Sequence, residues 1–219
     1  MTDEMKEEIR NRMGGGGFVG FPTAAEGLGE ADSVQHTQDC SILPQAEASV
    51  MDMWDRTGST DAEVLAPVIV RDGRVTVGAK RSGEPDSIDT SNVFDSVPTD
   101  LADKIGLIHT HPTGGWNSVM SHTDIYSHTV KSRDRHPKYA MGFVVTEVGD
   151  DIVMFGLENN TNTERQAFDR AMVEMEGGLT TADQAFISND LEQAKEGISS
   201  MWEAVSPLVM PCRQKVKQP

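Results

Sequence analysis

The sequence predicts a mixed α+β domain in which helices flank a mostly antiparallel sheet, and three local patterns predict it. Two β-rich runs, Glu63 to Val70 and Arg74 to Gly78, meet around Asp72-Gly73, a dipeptide that favours a hairpin turn. A second pair, Tyr139 to Thr146 and Asp151 to Glu158, is separated by the short polar stretch Glu147 to Asp150. Apolar residues recur at helical spacing after Pro44 and again through the last third of the chain.

In chain order, residues 1–13 suit a short charged helix that Gly14 to Gly17 would end. Residues 1–43 as a whole are expected to form a flexible N-terminal arm, with Phe18, Val19 and Phe21 as its only anchors. Pro44 is a favoured first helical residue, and Ala46, Val50, Met53 and Trp54 make one apolar stripe before Gly58. After the first hairpin, residues 80–100 read as a long surface loop, with a helical turn near Thr99 to Lys104. Ile105 to Thr110 is a short strand that Pro112 stops, because proline cannot donate to a sheet ladder. A helix should start at Ser121 or His122 and run to about Ser132. The second hairpin completes a domain expected over 44–158.

Residues 159–219 read as a helical C-terminal extension. Phe168, Ala171, Met172 and Met175 share one helix face, and Gly177-Gly178 is expected to break that helix. Ile187, Leu191, Ala194, Ile198, Met201 and Val205 line a longer helix from about Thr181 to Val205. That seam either docks on its own domain or receives a partner or a second copy. Cys212 to Pro219 is a small basic tail with no assigned function.

A length of 219 residues suits one ordinary domain with appendages, or two small domains. The balance of 19 basic against 35 acidic residues gives a net charge of −16. Such a charge argues against nucleic-acid binding through a broad basic face. It suits a cell interior at high salt, where like-charge repulsion is screened, so a halophilic source is expected. Cys40 and Cys212 lie in opposite tails, match no metal-ligand spacing and receive no role. The first ten residues are charged and no apolar stretch is long enough to span a bilayer. A soluble cytoplasmic protein, without a membrane or nucleic-acid partner, is the expectation.

The chemistry concentrates in Ile105 to Asp124. Side chains two apart on a strand share a face, so His109 and His111 can present two imidazoles to one ion. A lone His-x-His pattern is weak evidence by itself. Ser121 and Asp124 bring a hydroxyl and a carboxylate to the start of the next helix. Alone they read as an N-cap followed by an acidic first turn, which is compatible with aiming Asp124 at an ion.

Glu63 at the head of a strand, His109-Thr-His111-Pro112 and Ser121-His-Thr-Asp124 together resemble the JAMM motif of the JAB/MPN metallopeptidase family, in the family's order. The match covers roughly Pro44 to Glu158. It implies a curved, mostly antiparallel sheet and a Zn2+ site in which His109, His111 and Asp124 are ligands. By the same resemblance Glu63 handles the proton and Ser121 assists at the reacting carbonyl. Zinc rests on ligand type and resemblance, since two His and one Asp also suit other divalent ions. The interval from His111 to Ser121 is longer than the family's usual spacing, so Thr113 to Met120 reads as an enlarged loop to which Gly114 and Gly115 give room.

Glu47 and Glu84 rank below Glu63 as the base. His122 is an alternative ligand if the long loop rearranges the motif; otherwise His122, His128 and His136 read as surface residues or as supports behind the ligands. The implied activity is metal-assisted amide hydrolysis on a protein or peptide substrate, with a ubiquitin-like modifier conjugate as the substrate the family suggests. A non-catalytic MPN-type scaffold and a virus-associated processing peptidase with another substrate are the alternatives.

Overall fold

The computed structural model describes residues 38–84, 88–90, 92–95, 97–112, 124, 127–128, 138–148, 150–159, 165–188, 191–206 and 208–216. Helix α1 spans Leu43–Thr60, followed by strands β1 (Val64–Arg71), β2 (Arg74–Val77) and β3 (Arg81–Ser82). A short 3-10 turn at Thr99–Leu101 precedes β4 (Lys104–Thr110), β5 (Tyr139–Val148) and β6 (Asp151–Asn159). Helices α2 (Arg165–Ser188) and α3 (Leu191–Val205) then lead to β7 (Val209–Lys215).

The fold is mixed, with an open sheet of seven strands ordered β2-β1-β4-β5-β6-β7 and β3 paired beside β2 on β1. Among the described strands all pairings are antiparallel except β4 with β5. Asp72 and Gly73 have φ of 50° and 71°, the two left-handed residues that a tight hairpin with the sheet's natural twist requires. The parallel β4–β5 pair needs a crossover, and that crossover carries Asp124 and His128 over the end of β4.

Alternation divides the sheet's residues between two faces. Leu43, Ala46, Val50 and Met53 of α1 pack on Val64, Ala66, Val68, Ile108 and Phe143. On another part of the sheet Ala171 and Met175 of α2 and Met201, Ala204 and Val205 of α3 pack with Val144 and Leu157. Val93 and Phe94 cover Leu65, Ile105, Leu107 and Tyr139. Each fully buried large apolar side chain contributes about 1.5–3 kcal/mol.

Several expectations need correction. Gly58 lies inside α1, which continues to Thr60 and ends where Asp61 turns left-handed at φ 52°. Residues 80–100 are no plain surface loop, because β3 pairs with Val64 and Leu65, and Val93 and Phe94 are buried. The Gly177-Gly178 pair does not end a helix, since α2 runs through it. A Cβ at Gly178 would stand 2.7 Å from the Gly197 carbonyl oxygen and 2.6 Å from Met201 Cγ. Gly178 therefore lets α2 and α3 approach, and that contact offsets the roughly 1 kcal/mol helix cost of a glycine. The seam residues Met201 and Val205 are covered by the chain's own sheet.

Residues 38–43 and 208–216, at the two ends of the described chain, join the core. The C-terminal extension is not wholly helical, because β7 pairs with β6 from Val209 to Lys215. Cys40, Ile42 and Leu43, placed by the sequence in the arm, are 1% exposed. Cys40 and Cys212, given no role, form a disulfide between residues separated by 172 positions. Among the described residues no helix is long and apolar enough to cross a membrane. Residues 1–37, with Phe18, Val19 and Phe21, lie outside the described residues.

Candidate metal centre

Three elements converge at the ends of β1 and β4. In the antiparallel β1–β4 ladder Leu65 stands opposite His109. Two residues further along that register, Glu63 comes opposite His111, and its Oε1 lies 4.0 Å from His111 Nε2. The main chain of Glu63 is held by bonds from Glu63 N to the Glu84 carbonyl (3.0 Å) and from Gly83 N to the Glu63 carbonyl (2.8 Å). His111 N donates to the Val145 carbonyl at 2.9 Å, which fixes the chain beyond the strand.

Thr110, between the two histidines, points to the other face and ties the strands together. Val64 N–H donates to Thr110 Oγ1 at 2.9 Å. The Thr110 hydroxyl in turn meets Thr57 Oγ1, whose own proton goes to the Met53 carbonyl at 3.1 Å. Replacing Thr110 with Val would leave the buried Val64 N–H without its acceptor, at a cost of about 1–3 kcal/mol. Urea unfolding of Thr110→Val should register that loss, and a change near zero would deny Thr110 this role.

On the site face His109 Nε2 and His111 Nε2 are 3.0 Å apart. Asp124 reaches both, with Oδ1 3.2 Å from His109 Nε2 and Oδ2 3.4 Å from His111 Nε2. His109, His111 and Glu63 are buried, and the Asp124 side chain is 17% exposed. The expected ligands His109, His111 and Asp124 thus come together, with Glu63 beside them. Ser121 lies outside the described residues, as do His122 and His136. Asp124, Ser127 and His128 are helical, as expected for that stretch.

His128 is not the surface residue that one of its two sequence readings makes it, and its burial beside His109 is compatible with the other, a support behind the ligands. It is 3% exposed, and its Nδ1 shares a 2.7 Å hydrogen bond with the Tyr139 hydroxyl. Its ring centroid lies 5.4 Å from that of His109. A buried group of His109, Asp124 and His128 could hold a metal ion, their ligand atoms all lying within 4.8 Å of one another. Gly142 makes room for the ring, because a Cβ there would stand 2.1 Å from His128 Cγ. The missed signal was the interval of four between Asp124 and His128, which puts both on one helix face.

Electrostatics follow from this crowding. Burial alone would lower the His109 pKa, but the charge and hydrogen bond of Asp124, with Glu63 behind, raise it above its ordinary 6.5. Burial would raise the Asp124 pKa, yet His109 and His111 hold its carboxyl well below the usual range. Burial, reinforced by His109 and His111 against the opposing pull of Asp124, pushes His128 down to about 3. A base whose folded pKa is depressed contributes its full stability above the unfolded value and loses it as pH falls toward the folded one. His109 behaves oppositely, its contribution fading as pH rises through its raised value. Chelator-treated protein should therefore lose stability between about pH 6.5 and pH 4 more steeply than His128→Gln, by up to about 1.36 kcal/mol per pH unit. Parallel melting curves for the two proteins would contradict a buried neutral imidazole.

No family model matches the chain, and no curated protein matches it.

Proposed function

We propose that the chain is a zinc-dependent metallopeptidase that hydrolyses an amide bond, with His109, His111 and Asp124 as ligands and Glu63 as general base. One observation carries the reading. His109 Nε2 and His111 Nε2 lie 3.0 Å apart, with one Asp124 oxygen 3.2 Å from the first and the other 3.4 Å from the second, and a tetrahedral zinc with bonds of about 2.0–2.1 Å would space its ligand atoms by about 3.3 Å. The donor set of two imidazoles and a carboxylate also suits zinc.

Zinc bound there would lower the pKa of a coordinated water toward neutrality and polarise the substrate carbonyl. Glu63 accepts the water proton as the oxygen attacks the carbonyl carbon, then delivers it to the amine nitrogen as the C–N bond breaks. The Thr110 bond to Val64 holds the strand head from which Glu63 projects. Asp124 draws both imidazole nitrogens toward one point. Ser121, by the JAMM resemblance, would donate to the oxyanion.

The resemblance also suggests the substrate: a bond following the C-terminal Gly-Gly of a ubiquitin-like modifier, which in an archaeon means a small modifier protein. Incubation of zinc-loaded protein with such conjugates, and with unrelated peptides, tests it. Release of free modifier supports the isopeptidase. Cleavage of other peptides alone points to a processing peptidase, and bound zinc with no cleavage points to an MPN-type scaffold.

A further inference from the structure

His128 is the buried titratable group that the hydrolytic scheme leaves without a task. A buried polar atom normally has a partner, because leaving it unpaired costs about 1–3 kcal/mol. His128 Nε2 has no hydrogen-bond partner among the described residues, although the ring is 97% buried by its 3% exposure. Its other nitrogen is engaged by the Tyr139 hydroxyl at 2.7 Å. The unsatisfied Nε2 belongs to a ring that, with His109 and Asp124, forms a group whose ligand atoms, one from each residue, all lie within 4.8 Å of one another.

We infer that His128 Nε2 is a further protein ligand of the ion, added to His109, His111 and Asp124, and that Tyr139 and Gly142 are its positioning residues. This rests on the zinc reading above. With the phenol oxygen accepting from Nδ1–H, the tautomer leaves the Nε2 lone pair directed away from Tyr139 and available to a cation. The rings of His128 and Tyr139 are nearly parallel, at 7°. Gly142 permits the imidazole to lie directly on β5, where any side chain would occupy the same space. Asp124 and His128 are both helical and four positions apart, an interval that puts a carboxylate and an imidazole on the same side of a helix.

Four protein ligands fill a tetrahedron. If His109, His111, Asp124 and His128 held the ion together, the water that hydrolysis requires would have to be accommodated beside all four or in place of His128. Either route makes His128 the residue that sets how open the ion is, a role distinct from that of the His-x-His pair.

X-ray absorption at the zinc edge of the intact, zinc-loaded chain counts imidazoles without any substitution. Three are expected, and two would overturn the inference. Zinc affinity, measured by competition with a chromophoric chelator, should fall about 10- to 100-fold or more in His128→Gln. Tyr139→Phe keeps the imidazole but removes the group that orients it, and should show a smaller loss in the same assay. An unchanged affinity in a His128→Gln protein whose circular dichroism matches the wild type would overturn the inference. A wild-type chain that takes up no zinc defeats this inference and the metallopeptidase reading together. Zinc held through only two imidazoles defeats this inference alone.

Discussion

Glu63→Gln is expected to lower the rate of amide hydrolysis about 10²- to 10⁴-fold, the usual contribution of a positioned general base, while zinc content stays at the wild-type level. Glutamine keeps the size of the side chain and can still hydrogen-bond, but it cannot take a proton from water. Glu63 is buried at the head of β1, 4.0 Å from His111 Nε2. That places it next to the proposed ligands and outside the closest set of ligand contacts. Metal analysis beside steady-state kinetics separates the roles. Normal zinc with a large fall in kcat supports a base, whereas loss of zinc would reassign Glu63 as a ligand.

Asp124→Ala should have the broader effect, removing both zinc retention and activity. Asp124 is the one proposed anion that contacts both imidazoles of the His-x-His pair. Removing even a group behind a ligand costs about 10- to 100-fold in metal affinity, so removing the charged ligand itself should cost more. The same substitution takes a carboxylate away from His109, whose raised pKa depends on it. Protein passed through a desalting column and analysed for metal should contain none. Retention of the wild-type amount, with His109, His111 and His128 as the remaining partners, would remove Asp124 from the ligand set.

The site was partly legible because its signals are local. His109 and His111 face one way by strand alternation alone, and Asp72-Gly73 announces its turn by composition. Glu63 is a longer inference, since its approach to His111 depends on the β1–β4 register with Leu65 opposite His109. What escaped the sequence depends on distant partners. Strand β7 holds Pro211, and the exposure along it alternates only loosely. Proline is tolerated there because β7 lies at the sheet's edge. Cys40 finds Cys212 only after that strand has docked. The Gly177-Gly178 pair misled because a glycine's local cost and its value in letting two helices touch have opposite consequences. The surface alternative for His128 failed because nothing in its sequence neighbours announces burial, and its proximity to His109 depends on how the chain returns between β4 and β5.

Anomalous diffraction at the zinc edge from crystals of zinc-loaded protein tests the central claim most directly. The account predicts a single peak about 2.0–2.1 Å from His109 Nε2, His111 Nε2 and an Asp124 oxygen. A chain saturated with zinc that shows no peak there, or shows its peak elsewhere, would contradict it.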